Sequence, residues 1–130
     1  MKSLKKYKKD FLNLKFERKL EVFRKKQLFE TISELKYNSV LEVGCGVDSI
    51  FNYIENKDGC AIVDPIKEFC DLAKNNRDYL KVHNTFLENF KTKDKFDLII
   101  VNCLLHEIQK KKNIITCLKN LMNQSSYVFF

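Results

Sequence analysis

The sequence predicts an α/β fold in which a mainly parallel sheet is covered by helices, with a helical extension at the N-terminus. Short apolar runs that are typical of buried strands alternate with amphipathic segments that are typical of helices. The first apolar run ends at two closely spaced glycines, Gly44 and Gly46, and the second ends at a carboxylate, Asp64. Alternation of this kind implies right-handed crossovers between parallel strands.

The size and composition of the chain fit one soluble domain. It has 130 residues, which is enough for one hydrophobic core. No apolar run approaches the roughly 18 residues that a membrane span needs, and no signal-peptide pattern follows the lysine-rich N-terminus. We therefore expect a cytoplasmic protein with no membrane partner. We divide the chain into a basic helical extension, residues 1–37, and a sheet domain, residues 38–130.

The cysteines and histidines show no metal-site pattern. The 5 cysteines are widely spaced and include no C-x-x-C pair, which is typical of reduced thiols rather than of a disulfide framework or a zinc site. His106 and Glu107 lack the second histidine of a zinc protease motif. We expect no bound metal.

The positive charge of the chain is concentrated before the sheet domain. The formal net charge is +7, and residues 1–36 carry 12 Lys and Arg against 5 Asp and Glu, whereas the other 94 residues carry 12 of each. A basic segment of this kind can bind nucleic acid or an anionic surface. It is also typical of a solvated helix face, so both interpretations stay open.

An amphipathic helix is predicted over residues 16–35. Such a helix can lie on the sheet, cover the ligand site or pair with another chain. Its apolar positions recur every three to five residues. They are Phe16, Leu20, Phe23, Leu28, Ile32 and Leu35.

Apolar runs predict strands at 40–43, 60–63, 79–82 and 96–101, and a fifth strand that begins at residue 126. Residues 84–90 predict a loop with one helical turn. Three more helices are expected: one after the glycines, capped by Asp48 or Ser49, one that begins at Pro65, and one over residues 112–122. Their predicted inward positions are Ile50, Phe51, Ile54, Ile66, Phe69, Leu72, Ala73, Ile114, Ile115, Leu118 and Leu121.

The stretch from residue 39 to residue 64 is typical of half of a nucleotide-binding parallel sheet. Glycine has no Cβ, so Gly44 and Gly46 let a ligand approach the backbone closely. Asp64 follows at about the distance at which such folds place an acid for ribose hydroxyls. Each feature also has a purely structural explanation, because glycines suit any strand-to-helix turn and Asp64 before Pro65 suits a helix N-cap.

Two segments resemble the first motif and its partner acid in class I S-adenosylmethionine-dependent methyltransferases. They are Leu-Glu-Val-Gly-Cys-Gly at 41–46 and Val-Asp-Pro at 63–65. Asp48 replaces the third glycine usual in that family, and the dinucleotide pattern G-x-G-x-x-G fails at Ser49. Glu42 and Asp48 would repel a phosphate but not the sulfonium and amino group of S-adenosylmethionine. The resemblance covers residues 38–130 and implies a Rossmann-like three-layer sandwich that binds S-adenosylmethionine.

The resemblance also implies which residues meet the cofactor. It places Glu42 and the glycine loop at the methionine half, and Asp64 at the ribose. Pro65 and Ile66 resemble the apolar wall under adenine. Asn84 resembles the residue that meets the adenine amino group, although asparagine is also common in plain loops, and Phe86 can stack on adenine. The whole set expected at the cofactor is Glu42, Gly44, Cys45, Gly46, Asp64, Pro65, Ile66, Asn84, Thr85, Phe86 and Asn102.

The segment after the fourth strand is expected to face the methyl acceptor. Residues 102–107 read Asn-Cys-Leu-Leu-His-Glu and resemble the Leu-His-(His/Glu) segment of many small-molecule methyltransferases. The prolines of Asn-Pro-Pro-Tyr, the motif of enzymes that methylate DNA adenine or protein glutamine, are absent. His106 can take a proton from a substrate hydroxyl or can simply pack at the start of a helix. We expect O-methylation of a small molecule, with His106 as the candidate catalytic residue.

The sequence ends inside the fifth predicted strand, whereas class I methyltransferases usually have seven strands. Residues 127–130 would form an apolar sheet edge, which favours pairing with another chain. We therefore expect that C-terminal strands of a longer enzyme are missing, and the alternative is that a homo-oligomer covers this edge. Two other functions stay open, an RNA methyltransferase that uses the basic extension and a non-catalytic cofactor-binding module.

Overall fold

The computed structural model describes residues 15–55, 59–102 and 111–130. Ten elements follow one another in these ranges, and two of them are single 3-10 turns. In chain order they are α1 (Lys15–Ile32), β1 (Val40–Val43), a first 3-10 turn (Ile50–Asn52), β2 (Cys60–Val63), α2 (Lys67–Lys74), β3 (Lys81–His83), a second 3-10 turn (Leu87–Asn89), β4 (Phe96–Val101), α3 (Lys111–Leu121) and β5 (Met122–Phe129).

The five strands form one parallel sheet in the order β3-β2-β1-β4-β5. All four strand pairs are parallel, with Val40 opposite Cys60 on one side of β1 and opposite Leu98 on the other. The direction in which strands are added reverses between β1 and β4. In open α/β sheets, ligands bind beyond the carboxyl ends of the strands at such a switch point. The topology therefore places the candidate site beyond β1 and β4.

Helices cover both faces of the sheet, so the predicted three-layer α/β sandwich is confirmed. Successive side chains of a strand point to opposite faces, and β1, β2 and β4 consequently contribute to two separate apolar cores. The first core joins the sheet to α1, the first 3-10 turn and α2, and it includes Ile32, Val40, Ile50, Phe51, Ile62, Phe69 and Ile100. The second core joins the sheet to α3 and the second 3-10 turn, and it includes Leu41, Val43, Leu87, Ile99, Ile114 and Leu118.

The helix predicted after the glycines is replaced by a single 3-10 turn, although Ile50, Phe51 and Ile54 are buried as expected. The Ser49 hydroxyl accepts the Phe51 N–H at 3.2 Å and caps the turn. The side chains of Asn52 and Tyr53 then donate back to the Asp48 carboxylate, at 2.7 Å and 2.6 Å. These two bonds hold the side chains of Asn52 and Tyr53 against Asp48 at the end of the turn.

Three side chains predicted on the apolar faces of helices are exposed: Phe23 at 56%, Leu72 at 52% and Ile115 at 56%. In α2, buried Cys70 turns the inward stripe away from Leu72. In α1 the cause is more unusual, because the buried stripe contains two charged residues, Glu21 and Lys25. Hydrophobic periodicity cannot assign charged residues to an inward face, so it misplaced Phe23, which lies on the opposite side of the helix.

Strand boundaries were predicted well in the centre of the sheet and less well at its edges. The bounds of β1, β2 and β4 agree with the prediction, whereas β3 lies at Lys81–His83 and β5 already begins at Met122. β5 is an edge strand of the described sheet, and Tyr127 within it and Phe130 directly after it are 42% and 70% exposed. Self-association through this edge stays a prediction.

Asp97 fastens the start of β4 to the entry into β1. Its carboxylate accepts the backbone N–H groups of Asn38 and Ser39, at 3.0 Å and 3.2 Å, and the side-chain amide of Asn123 at 2.6 Å. The Asn38 N–H, the Asn123 amide and the Ser39 N–H hold the pKa of Asp97 below its usual range. This carboxylate has a structural role at the end of the sheet opposite the candidate site.

Within the described ranges, none of the helices α1, α2 and α3 is both long enough and apolar enough to cross a membrane.

We expect that Phe69→Ala lowers the free energy of unfolding by about 3–5 kcal/mol, because it empties a fully buried site in the first core. Leu72→Ala on the same helix is the matched control, and it should cost less than about 1 kcal/mol because Leu72 is exposed. Urea unfolding followed by circular dichroism measures both. Equal losses in the two variants would contradict the described orientation of α2.

Candidate functional site

The structure brings most of the predicted cofactor residues together beyond the carboxyl ends of β1 to β4. Backbone bonds connect these ends, since the Gly44 N–H donates to the Val63 carbonyl at 2.9 Å and the Asp64 N–H to the His83 carbonyl at 3.1 Å. The side-chain amide of Asn84 donates to the carbonyl of Asp64 at 3.0 Å. The predicted residues that follow the four strands are Gly44, Cys45 and Gly46 after β1, Asp64, Pro65 and Ile66 after β2, Asn84, Thr85 and Phe86 after β3, and Asn102 after β4.

The loop after β1 needs its glycines for two different reasons. Gly44 and Gly46 both have positive φ, at 79° and 62°, a conformation that side chains with a Cβ rarely adopt. A Cβ on Gly46 would also lie 2.1 Å from Oε1 of Glu21, which would be a severe clash. The sequence predicted that a ligand approaches the backbone here. On this side of the loop, the group that does so is the Glu21 side chain of α1.

Glu42 is the most enclosed charged residue of the site, with no exposed surface. Its Oε1 accepts the Ser49 hydroxyl at 2.7 Å, and its Oε2 accepts the Ile50 N–H at 2.9 Å and the Asn102 amide at 3.1 Å. Lys25 donates to the same Oε2 at 2.7 Å. These contacts join β1, the first 3-10 turn, β4 and α1. A direct contact between Glu42 and the cofactor stays a prediction.

Lys25 fastens α1 to the glycine loop. Its side chain is 4% exposed, and its ammonium donates to Glu42 Oε2 at 2.7 Å, to the Cys45 carbonyl at 3.1 Å and to the Asp48 carbonyl at 2.6 Å. An ammonium has three N–H donors, and each of them has an acceptor here. Lys25 therefore neutralises Glu42 and fixes the backbone on both sides of Gly46.

Glu21 lies one helical turn before Lys25 and reaches the same loop. Its Oε1 accepts the Asp48 N–H at 3.2 Å, whereas its Oε2 is buried and has no hydrogen-bond partner among the described residues. Burial raises the pKa of Glu21, while the charge of Lys25 and the N–H groups of Asp48 and Val47 act against this increase. Glu21 is thus a buried carboxyl group whose Oε2 can still accept a hydrogen bond.

Asp64 is turned toward the glycine loop and is only 3% exposed. Its Oδ1 accepts the Ile66 N–H at 2.8 Å, and its Oδ2 accepts the Cys45 thiol at 3.6 Å. Burial raises the pKa of Asp64, and the N–H groups of Ile66, Gly46 and Cys45, together with the Cys45 thiol, oppose the increase. Asp64 stands two residues before Ile66, the N-cap residue of α2, so it forms a local turn at the start of the helix rather than the cap itself.

Asp48, which stands where the related family has a third glycine, organises the far side of the loop. Besides its side-chain bonds to Asn52 and Tyr53, its backbone N–H donates to Glu21 and its carbonyl accepts from Lys25. Burial and the bond to the Asp48 carboxylate raise the pKa of Tyr53 to about 12. A glycine here could make the backbone contacts but could not hold Asn52 and Tyr53.

The thiols near the site are suited to packing rather than to chemistry. Burial raises the pKa of Cys45 well above its usual range, and the carboxylates of Asp64 and Glu42 raise it further. Burial is also the main reason that the pKa of Cys70 rises to about 12. Nucleophilic cysteines need thiolate character, so neither residue is a candidate nucleophile. Cys45 serves the site through its backbone and its weak bond to Asp64.

Buried charge in the described part of the chain is concentrated at this one loop. The buried charged residues are four acids, Glu21, Glu42, Asp48 and Asp64, and one base, Lys25. Carboxyl groups outnumber ammonium groups even if one of the acids is protonated. The loop is therefore a site for a cationic group and a poor site for a phosphate. No group of three metal-ligating side chains occurs among the described residues.

The residues predicted at adenine lie beside the loop, between the ends of β2 and β3. Ile66 is buried, Pro65 and Thr85 are half-buried, and Asn84 and Phe86 are exposed. Thr85 follows β3 closely, and its N–H donates to the His83 carbonyl at 3.0 Å. The exposed Asn84 and Phe86 are accessible to a ligand. The candidate catalytic residue His106 lies outside the described residues.

An open groove of about 560 Å³ lies on the outer side of β3, against α2. Asn84 lies at its edge, but the groove is on the far side of β3 from the glycine loop. Two of its three lysines form ion pairs, Lys67 with Asp71 at 2.9 Å and Lys81 with Asp94 at 3.8 Å. Both pairs are solvent-exposed and contribute little to stability. We do not assign the candidate site to this groove.

The sequence did not identify Glu21 and Lys25 as parts of the site. They stand four residues apart and, with Leu28 and Ile32, occupy one stripe of α1. A Glu–Lys pair at this spacing is normally a solvent-exposed helix pair. The available signal was that the pair continues the apolar stripe of the helix toward its N-terminus, on the side away from Phe23.

Comparison with known proteins identifies a family. The sequence model of the family described as "Methyltransferase domain" matches residues 41–130, which is most of the chain. No curated protein matches the chain significantly.

Solved structures show the same fold at low identity. The N-methyltransferase NodS from Bradyrhizobium japonicum, in complex with S-adenosyl-L-homocysteine, has 18% identity and a TM-score of 0.64, over 89% of this chain and 61% of that one. A sugar N-methyltransferase, KedS8 from Streptoalloteichus sp., has 14% identity and a TM-score of 0.66, over 80% and 45%. A TehB-like S-adenosylmethionine-dependent methyltransferase from Corynebacterium glutamicum has 15% identity and a TM-score of 0.64, over 80% and 59%. The chain thus spans about half to three-fifths of the length of these proteins.

Asp64 and Asp97 should affect the pH dependence of stability in opposite directions. The pKa of Asp64 is raised in the folded state, so the folded protein binds the proton more tightly, and ionisation above the ordinary pKa of about 3.9 opposes folding. Asp64→Asn removes this cost, and the stability of the variant relative to the wild type should increase as the pH rises from 4 to 7. Each pKa unit is worth about 1.4 kcal/mol.

Asp97→Asn is the control of opposite sign. The pKa of Asp97 is lowered, so this carboxylate stabilises the fold above about pH 4, and its contribution disappears as the pH falls through its folded-state pKa. The deficit of the variant should therefore be largest near pH 7. Urea unfolding between pH 3 and pH 7 measures both variants. The same sign of pH dependence for the two would contradict the described environments.

Proposed function

This chain belongs to the family of methyltransferase domains, and from that premise we propose that it binds S-adenosylmethionine and transfers its methyl group to a small-molecule acceptor. The glycine loop carries this proposal, because it combines close backbone access with an excess of buried carboxyl groups at the switch point of the sheet. A cofactor with a sulfonium and an ammonium group suits that environment. The pyrophosphate of a dinucleotide would be repelled by this excess of buried carboxyl groups, of which Lys25 neutralises only Glu42.

The residues of the loop offer partners to two polar parts of the cofactor, its methionine half and its ribose. The loop 44–46 has no side chain at Gly44 and Gly46, and Glu21, whose carboxyl group lies over Gly46, provides an oxygen without a partner in the described part of the chain. We propose that Asp64 accepts a ribose hydroxyl in place of the Cys45 thiol, which is a weak donor at 3.6 Å. The Ile66 N–H would continue to hold the other carboxylate oxygen, so the side chain need not turn.

The adenine end is proposed to lie between the ends of β2 and β3. Pro65 and Ile66 form its apolar wall, and Phe86 is exposed and free to stack on the base. The Asn84 side-chain amide donates to the carbonyl of Asp64, so its own oxygen points away from that bond and can accept the adenine amino group. Thr85 connects Asn84 to Phe86 and fixes their separation.

The acceptor is proposed to bind beyond β4, next to Asn102. Bound S-adenosylmethionine would supply a methyl group on a sulfonium, which becomes a neutral thioether when a lone pair of the acceptor displaces it. Such an in-line displacement depends mainly on positioning. The amide of Asn102 is fixed by its bond to Glu42 and marks the floor of this region. The sequence favours an oxygen acceptor, with His106 as the group that takes the proton.

Nitrogen is the alternative acceptor atom. NodS and KedS8, two of the structures of similar fold, are N-methyltransferases. Their identity to this chain is below 20%, so the likeness concerns the fold alone. An acceptor panel should therefore contain both alcohols and amines.

An RNA acceptor is the second candidate, and the charge on α1 is the observation that favours it. Arg18, Lys19 and Lys26 are exposed on the helix that covers the glycine loop. RNA binding through such residues should weaken steeply as the salt concentration rises. Binding of RNA that persists unchanged from 50 mM to 200 mM salt would not be explained by these residues.

Calorimetric titration with S-adenosylmethionine tests the proposed function, with NAD as the control ligand. We expect binding of S-adenosylmethionine and none of NAD. Asp64→Ala should weaken binding by about 10- to 100-fold, the effect of losing a hydrogen bond to a charged group. Asp71→Ala, which removes an exposed carboxylate from α2, should leave the affinity unchanged. A folded chain that binds NAD, or that binds S-adenosylmethionine equally well without Asp64, would contradict the proposal.

A further inference from the structure

One oxygen of Glu21 is the buried polar side-chain atom of the described chain that has no hydrogen-bond partner there. Glu21 is 8% exposed, and its other oxygen accepts the Asp48 N–H at 3.2 Å. Buried polar atoms in folded proteins almost always have a partner, and leaving one without a partner is costly. Such an atom in a candidate site indicates a group that is bound there.

Lys25 does not satisfy this oxygen, although it lies one turn away on the same face of α1. Its three donors are directed to Glu42 Oε2, the Cys45 carbonyl and the Asp48 carbonyl. The charge of Lys25 is thus matched by Glu42 at 2.7 Å. Glu21 is a second carboxyl group beside one ammonium, and the excess negative charge remains available to a ligand.

The carboxyl group of Glu21 is directed at the glycine loop. Its Oε1 lies 2.1 Å and its Oε2 3.2 Å from the position that a Cβ of Gly46 would take. The carboxyl group therefore occupies part of the space that the missing side chain of Gly46 leaves. A ligand bound over this loop would meet Glu21 and the loop backbone together.

We propose that Glu21 binds the α-ammonium group of the methionine half of S-adenosylmethionine through Oε2. This inference rests on the proposed function. The bound group must donate a hydrogen bond and should carry positive charge. Of the two cationic centres of the cofactor, the ammonium has N–H donors and the sulfonium has none. The carboxylate of the methionine half would be repelled by Glu21.

Glu21 rather than Glu42 is therefore the acid that meets the amino group. Glu42 has no exposed surface, and its Oε2 already accepts from Lys25, Ile50 and Asn102. Glu42 lies under the loop and supports its backbone. Glu21 lies on the opposite side, on a helix that precedes the sheet domain. By this arrangement α1 contributes a binding group to the site and is not merely a basic arm.

The test compares two ligands that differ only in the amino group. They are S-adenosylhomocysteine and the same molecule with hydrogen in place of its α-amine. Calorimetric titration of the wild-type chain should show about 10- to 100-fold weaker binding of the deaminated ligand, the effect of a hydrogen bond to a charged group. This comparison needs no variant and does not depend on the folding of one.

Glu21→Gln assigns that difference to one side chain. The amide keeps the size of Glu21 but removes its charge, so S-adenosylhomocysteine should bind about 10-fold more weakly while the deaminated ligand binds as before. Glu30→Gln is the matched control, since Glu30 is exposed on the same helix. It should change neither affinity. Thermal unfolding without ligand establishes that both variants are folded.

Four outcomes would overturn the inference. Equal affinity of the wild type for the two ligands would show that the amino group is not recognised, while the proposed function stands. A parallel loss of both ligands in Glu21→Gln, or tighter binding of S-adenosylhomocysteine, would show that the carboxyl group shapes or blocks the loop instead of binding the amine. Binding of neither ligand by a folded wild-type chain would remove the proposed function itself.

Discussion

The buried ion pair between Lys25 and Glu42 is the interaction on which the rest of the site depends. A buried pair is tolerated only when the geometry is good and the remaining donors and acceptors are satisfied. Here the ammonium has three acceptors, and the carboxylate accepts from Lys25, Ser49, Ile50 and Asn102. Loss of either charge would leave the other one buried without compensation. The pair thus holds α1, β1 and β4 in one arrangement.

The consequence of this pair is a glycine loop whose two sides are both fixed. On one side Lys25 holds the carbonyls of Cys45 and Asp48, and on the other Asp64 receives the thiol of Cys45. A loop held in this way is organised before a ligand binds, which reduces the entropy that binding must overcome. Glu21 is the additional acid that the pair leaves unmatched. The proposed recognition of an ammonium group follows from that imbalance and from the position of Gly46.

The sequence predicted the centre of the sheet well, because β1, β2 and β4 are mainly apolar, with one acid each in β1 and β4, and almost entirely buried, a pattern with few alternatives. It predicted the positions of Gly44, Gly46 and Asp64 because they follow from the ends of those strands. The prediction from sequence failed in α1, where charged residues are buried. Glu21 and Lys25 occupy the buried stripe of α1 and leave Phe23 exposed, although the predicted Ile32 is buried, and the helix predicted after the glycines is a single 3-10 turn. The contacts of Glu21 and Lys25 join segments distant in sequence, and no local pattern predicts them.

A double-mutant cycle on Lys25→Met and Glu42→Gln tests the central claim most directly. Each single change should lower the free energy of unfolding in urea by about 3–5 kcal/mol, because it leaves one buried charge without its partner. The double variant buries neither charge and should be more stable than the sum of the two losses predicts, by about 2 kcal/mol or more. Additive losses within about 0.5 kcal/mol would contradict the account, since α1 would then be attached to the glycine loop by something other than this pair.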